Sequence, residues 1–500
     1  MGETGREPVR VRFAPSPTGR THLGSGRTAL YDYLLARQTG GRFILRIEDT
    51  DRKRYVPGAE QELMESLRWL GLQWDEGPDV GGPYGPYRQT ERAEIYREHA
   101  RRLVERGAAY PCFCTAERLE AMRKEAEAHK LPRLYDGTCR RLDPQEASRR
   151  VAAGERHVVR FRMPREGAIT VRDRVRGPIT VENRQLDDYV IVKSDGLALY
   201  HLAAMVDDQL MKITHVIRGA EWLPTFPLHV HIIRALGWKE PEFVHLSLFL
   251  KPSGKGKMSK RDAAALAKDG YSIYLADLRD LGYTPEGVVN WVALMGWSLD
   301  DRTENFTLAD LVRSFSLERL NPAPAAINYT KLDHFNGLHI RALPDAELAR
   351  RVRPFLEKAG LAVDEGRLLK VAPLVRERLV TLDDVVGMAG FFFRGDVAAD
   401  AAALVAKNLT AAQAASVAAR CLAVLEGLPS VEHAIAEPPL RALVEELGLS
   451  PGQVFGILRV AVTGQSVSPP LFESMAVIGR DTVLARVRRA VQALEAASAS

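Results

Sequence analysis

At 500 residues, with 46% apolar and 27% charged residues and a net charge of +5, the chain has the balance of a soluble globular protein of about two to four domains. No uncharged apolar stretch approaches the ~18 residues that span a bilayer, and the first residues lack an apolar signal core, so no membrane role and a cytoplasmic address are expected. Four cysteines in so long a chain do not make a disulfide framework, and the arginine-rich surplus suits either a solvated surface or a nucleic-acid partner.

Residues 9–13 alternate as a strand and lead into a Pro/Ser/Gly loop, Ala14 to Thr21. Helical apolar spacing follows from Leu23 to Gln38, and Arg42 to Ile47 alternates again. This βαβ unit predicts a parallel sheet with a right-handed crossover. The acidic run Glu48-Asp49-Thr50-Asp51 falls at the carboxyl end of its second strand, where open parallel sheets bind ligands. Residues 60–107 read as helices broken by the loop Gly77 to Tyr87. Between 110 and 188 a cysteine pair, a Lys/Glu/Ala helix at 115–130 and short β-rich pieces such as His157 to Met163 predict an α+β insertion. Strand patterns return at 189–193, 213–217 and 243–250, with a helix at 224–236. Beyond 335, Ala/Leu/Val/Glu/Arg helices dominate, and no repeat of 20–50 residues is present.

Gly24-Ser25-Gly26-Arg27-Thr28-Ala29 matches the G-x-G-x-x-A pattern of nicotinamide-binding folds. There, however, the first glycine turns directly after the strand, whereas ten residues including Pro15 and Pro17 separate Phe13 from Gly24. That reading is set aside. The stiffened loop instead brings His22 to a helix amino terminus, where free N–H groups and the dipole attract anions and a histidine can cap, pack or donate to phosphate. The basic run Lys257-Met258-Ser259-Lys260-Arg261 follows the segment Pro252-Ser253-Gly254-Lys255-Gly256. Alone it is an ordinary solvated patch, and it is not a Walker A loop, because Met follows Lys257.

Together these two segments resemble the HIGH and KMSKS signatures of class I aminoacyl-tRNA synthetases, and Pro15-Ser16-Pro17-Thr18-Gly19 is similar to the glutamyl and glutaminyl branch. The resemblance recurs at 40–51, 77–89, 200–208, 216–222, 294–298 and 331–337, and so covers nearly the whole chain. It implies an α/β Rossmann-type catalytic domain with an α+β insertion and an all-α anticodon-binding region. The expected segments are 1–109 and 189–250 for the catalytic halves, 110–188 for the acceptor-binding insertion, 251–335 for the loop and stem-contact region, and 336–500 for the helical region. The implied reaction joins ATP and L-glutamate to glutamyl-adenylate and passes glutamate to tRNA-Glu. Neither step needs a protein nucleophile, so positioning and charge neutralisation carry the catalysis.

By resemblance His22, Lys257 and Lys260 are the catalytic residues. Ser16, His22, Gly24, Glu221, Phe249, Leu250, Met258 and Lys260 are expected around ATP, with Arg261 assisting and Mg²⁺ bridging the phosphates. Arg12, Ser16, Glu48, Tyr200 and Arg218 stand where the family binds its amino acid, with Glu48 on the ammonium and Arg12 and Arg218 on the carboxylates. The bland alternative is that Arg12 and Glu48 merely pair with each other. Ala204 replaces an asparagine of many relatives, so a polar contact near the amino acid needs a substitute.

Cys112-x-Cys114 followed by twenty-four residues and Cys139 has the spacing of the family's zinc site. Arg141, which stays protonated, occupies the expected place of the fourth ligand, so bound zinc and a vestigial site remain open. In the helical region Arg459 to Gly464 and Ile478-Gly479-Arg480 resemble the bacterial anticodon-binding module, and Arg378 is the candidate anticodon reader. A glutaminyl-tRNA synthetase is expected to carry a β-barrel there, and a short tRNA-modifying relative to lack this third. A non-discriminating enzyme that also charges tRNA-Gln, or a catalytically silent tRNA-binding relative, would share the same motifs. The family's usual state is a monomer.

Overall fold

The computed structural model describes residues 7–397 and 400–499, with the side chain of Lys260 also outside the described residues. The chain divides into two compact units. One runs to Leu278 and resumes at Val288–Tyr329; the other comprises Arg279–Gly287 and the chain from Thr330 onward.

In the first unit, β1 (Arg10–Phe13), α1 (Leu23–Thr39) and β2 (Arg42–Leu45) form the expected βαβ unit, with β1 and β2 parallel and Val11 opposite Phe43. α2 (Ala59–Trp69) and α3 (Ala93–Glu105) flank the 77–87 loop. The expected insertion and the residues next to it supply β3 (Ala109–Cys112), α4 (Ala116–Ala128), α5 (Pro144–Ala152), β4 (Val158–Phe161), β5 (Ala168–Asp173), β6 (Gly177–Glu182) and β7 (Val190–Val192). Then come α6 (Tyr200–Leu210), β8 (His215–Gly219), α7 (Phe226–Ala235), β9 (Glu242–Leu246) and β10 (Phe249–Leu250), and β10 pairs in parallel with β11 (Ala325–Ala326).

Six strands make the main sheet, in the order β2-β1-β8-β9-β5-β6. The first five run parallel where they pair, and β6 returns antiparallel to β5. Strand order reverses between β1 and β8, and the crevice beyond their carboxyl ends is the standard ligand position of such sheets. The insertion splits its strands: β3, β4 and β7 form a separate antiparallel sheet, while β5 and β6 extend the main one. Ile169 and Val171 alternate with exposed neighbours, giving β5 one apolar face for the core beneath α7.

The second unit is helical, with one core drawn from positions such as Leu348, Val371, Phe391, Leu440, Ile457 and Val487. Its helix boundaries follow local chemistry. Ser450 caps 451–463 in a reciprocal box with Gln453, Pro451 opens that helix, and Gly464 ends it in the left-handed conformation.

Candidate functional site

Beyond the carboxyl ends of β1 and β8 lies a cavity of about 1300 Å³. Arg12, Ser16, His22, Gly24, Glu48, Tyr200, Arg218, Glu221, Phe249, Lys257 and Met258 all line it, so the structure gathers residues some 250 positions apart. Leu250 is not among the lining residues. It bridges Lys257 across a turn, while Leu248 and Phe249 face the cavity.

Arg12 and Glu48 do not pair with each other. Arg12 Nε donates to Asp208 at 2.9 Å and Nη1 to the Ile217 carbonyl at 3.2 Å. Arg46, fully buried, bridges Asp208 at 2.8 Å and Glu48 at 3.0 Å. Asp207 takes Arg92 at 2.7 Å, Tyr96 at 2.8 Å and Gln89 at 2.9 Å. Burial is the largest influence and opposes the Arg12 charge, but Asp208 and the further acidic groups around it together more than offset burial, and the guanidinium stays protonated. Burial also pushes the Glu48 carboxyl up to about 7, against the pull of Arg46 and Arg12. One Glu48 oxygen accepts from Arg46; the other has no hydrogen-bond partner among the described residues and is placed to receive a cation.

Arg218 differs from its neighbours in having no carboxylate partner among the described residues. Its guanidinium donates to Tyr200 Oη at 3.3 Å and meets nitrogen atoms of His245 at 2.9 Å and His229 at 3.0 Å. Tyr200 in turn stacks on Trp222 with ring centroids 3.9 Å apart. An uncompensated guanidinium in a cavity wall is a receptor for an anion.

His22 combines two of the roles its position allowed. Its Nδ1 accepts from the Gly24 N–H at 3.0 Å and caps α1, so the ring proton resides on Nε2, a donor at a helix amino terminus. Gly24 is required by this cap, since a Cβ there would lie 2.9 Å from His22 Cε1. At Gly219 a Cβ would fall 2.1 Å from the Glu221 carboxylate, so a larger residue there would push that side chain aside. Phe249 is buried beneath the Arg27 guanidinium, 4.0 Å from its ring centroid. The basic loop is tied back by Met258 N–H to the Phe249 carbonyl at 2.9 Å and by the Lys251–Asp262 ion pair at 2.7 Å. Lys257 faces the cavity; the Lys260 side chain lies outside the described residues.

Cys112, Cys114 and Cys139 converge, with their sulfur atoms within 4.8 Å of one another. Arg141 turns away to the Asp136 carbonyl at 2.9 Å. Tyr135 Oη lies beside the cluster, 3.5 Å from Cys112 Sγ and 3.3 Å from Cys114 Sγ, and accepts from the Cys139 N–H at 2.8 Å. In the helical unit, Arg378 donates to the Ser468 carbonyl, and Arg459 reaches Ser468 Oγ at 2.7 Å.

Residues 8–334 match the family described as tRNA synthetases class I (E and Q), catalytic domain, and residues 347–491 match an anticodon binding domain. The chain is 45% identical over 491 residues to a glutamate–tRNA ligase of Dehalococcoides mccartyi, covering 97% of this chain and 98% of that one. It is also 45% identical over 502 residues to one from Chloroflexus aurantiacus, covering 98% of each chain. The crystal structure of a glutamate tRNA ligase from Elizabethkingia meningosepticum CCUG26117 in complex with its amino acid superposes with a TM-score of 0.88 at 37% identity, covering 97% of this chain and 99% of that one. The chain belongs to the glutamate–tRNA ligases.

Within this glutamate–tRNA ligase fold, the residues that hold the cavity's charged side chains were not legible in the sequence. Arg46 and Asp208 lay inside quoted motifs without a role. His229 and His245 left no signal, because a histidine in an apolar helix or strand reads as core. Ala204 is fully buried in the core beside Leu202 and Met205, and does not line the cavity. Polar contact near Arg218 comes from His229 and His245 instead.

Proposed function

We propose that this chain activates L-glutamate with ATP and Mg²⁺ to glutamyl-adenylate and transfers it to the 3′-terminal adenosine of tRNA-Glu. The observation that carries this reading is Arg218, a buried cation without a carboxylate partner among the described residues, facing the cavity that Glu48 also lines. A substrate with one ammonium and two carboxylates matches one open carboxylate oxygen on Glu48 and the open donors of Arg218 and Arg12. His22 Nε2 and Lys257, joined by Lys260, would contact the triphosphate. Ser16, Gly24, Glu221, Phe249 and Met258 would surround adenosine.

The α-carboxylate attacks the α-phosphorus of ATP, forming the acyl–phosphate bond as the bond to pyrophosphate breaks. A ribose hydroxyl of the tRNA then attacks the acyl carbon and AMP leaves. The chain's residues orient the carboxylate and stabilise charge on the phosphates, and no protein nucleophile takes part. Mg²⁺ supplies charge neutralisation on the phosphates.

The cysteines with Tyr135 form a four-donor set that fits structural zinc. Residues 110–188 would serve the acceptor end and 336–500 the anticodon, with Arg378 as a contact there. A cavity complete within one chain suits a monomer working where tRNA is charged, in the cytoplasm. ATP–pyrophosphate exchange dependent on both glutamate and tRNA-Glu tests this reading, and absence of exchange with that tRNA overturns it. Charging tRNA-Glu and tRNA-Gln side by side then decides whether the enzyme discriminates between them.

A further inference from the structure

A guanidinium has only donors, so the ring atoms that meet Arg218, His245 Nε2 and His229 Nδ1, are both unprotonated acceptors. Each imidazole then carries its proton on the far side. His245 Nδ1–H donates to Asp173 Oδ2 over 2.8 Å, and His229 Nε2–H donates to His201 Nδ1 over 2.9 Å. Asp173 ends the first chain as a carboxylate. It accepts also from the backbone N–H groups of His245 at 2.9 Å, Val175 at 3.0 Å and Arg176 at 2.9 Å.

A buried arginine is ordinarily neutralised by a carboxylate. Here Asp207, Asp208 and Glu48 are engaged by Arg92, Arg12 and Arg46, and Asp173 reaches Arg218 only through the His245 ring. With Tyr200 as third contact, three of five N–H groups are fixed and the charge is left uncancelled. Burial, with the Arg218 charge beside it, holds His229 well below the ordinary imidazole range. Burial also brings His245 down to about 4, so both rings stay neutral at physiological pH.

We propose that His229 and His245 are positioning residues that fix Arg218 through neutral acceptors, so that the site selects an amino acid whose side chain ends in a carboxylate over its carboxamide. This deepens the proposed function and rests on it. A carboxylate offers acceptors to both remaining N–H groups of Arg218. A carboxamide turns one donor toward donors, and the histidine lone pairs that could have accepted it already point at Arg218.

Paired variants of the full-length chain test the idea, because the two amides imitate different ring atoms. Asn places an oxygen where Nδ1 stood, and Gln places one where Nε2 stood. His229→Asn should therefore keep the contact that His229→Leu loses, and His245→Gln the contact that His245→Asn loses. In tRNA-dependent pyrophosphate exchange, His229→Leu and His245→Asn should raise the glutamate KM about ten- to a hundredfold and leave the ATP KM within about twofold. Both should narrow the preference for glutamate over glutamine. His229→Asn and His245→Gln should recover all but about threefold of the loss. The His245 pair compares two polar side chains, so a Leu variant that fails to fold leaves the test intact. Unchanged glutamate KM in the loss variants, or equal losses in both members of each pair, overturns the inference. A wild-type chain that binds no glutamate overturns the proposed function itself, which is a different outcome.

Discussion

At the residue scale, charge is managed by pairing, and the unpaired groups carry the predictions. Glu48 must be ionised to hold an ammonium, yet burial raises its carboxyl from the ordinary 4.5 to about 7. A raised carboxyl favours the fold fully below 4.5 and loses that contribution as pH rises through about 7, so the empty site is under most stress at alkaline pH. Substrate binding reverses the preference. The glutamate KM is therefore expected to climb as pH falls below about 7, with proton release on binding measurable by calorimetry in two buffers of different ionisation enthalpy. Glu48→Gln should raise the KM about ten- to a hundredfold and flatten this dependence.

Asp32 on α1 is the opposite case, a buried carboxyl for which neither oxygen has a hydrogen-bond partner among the described residues. Burial holds it well above the ordinary carboxylate range. It penalises the fold progressively as pH rises above that range, so Asp32→Asn should stabilise the chain by roughly 1–3 kcal/mol at pH 8, and by less at pH 5. Thermal melts at the two pH values check the sign. At the cysteine cluster, Tyr135→Phe keeps the ring and removes the fourth donor. Zinc per chain, measured by elemental analysis after dialysis against a weak chelator, should fall well below that of the unmodified chain.

At the element scale, α1 does two jobs through one side chain. His22 Nδ1 caps the helix, and on the proposed function Nε2 carries the proton that meets the triphosphate. Asn supplies an equivalent capping oxygen but nothing in place of Nε2–H. His22→Asn should leave the melting temperature close to that of the unmodified chain and lower kcat about 10²- to 10³-fold. His22→Ala should lose the same rate and about 0.5–2 kcal/mol of stability besides. Equal melting of both variants would show that the cap contributes nothing.

The elements themselves were readable because their signals are local. Alternation marked β1 and β2, the 3.6-residue spacing marked α1, and helix-forming composition marked the helical end. The distribution of the insertion's strands between two sheets was not readable. Whether β5 joins β9 depends on a shared apolar layer assembled from distant parts of the chain, and no local pattern encodes it.

At the scale of the whole molecule, the two units have separate cores and separate compositions. All six tryptophans, residues 69, 74, 222, 238, 291 and 297, belong to the first unit, and the second is helical throughout. Tryptophan fluorescence thus follows one unit, and much of the far-ultraviolet circular dichroism follows the other. Saturating glutamate with ATP should raise the fluorescence midpoint, since ligand binds only the native site, and leave a second dichroism transition in place. A single coincident transition that shifts as a whole would mean that the units unfold together.

The sequence by itself determined the family, the order of elements, the helical end and a set of candidate residues most of which line the cavity. Such features rest on motif order and on short-range periodicity, both of which survive in one dimension. Only the tertiary structure decided what each charge does. Arg12 meets Asp208 across 196 positions and Arg46 meets it across 162. Arg218 is left to two histidines. With many arginines and acids in the chain, spacing cannot choose among pairings. Burial and distance can, because inside the protein an ionised group is tolerated only where a specific partner completes it.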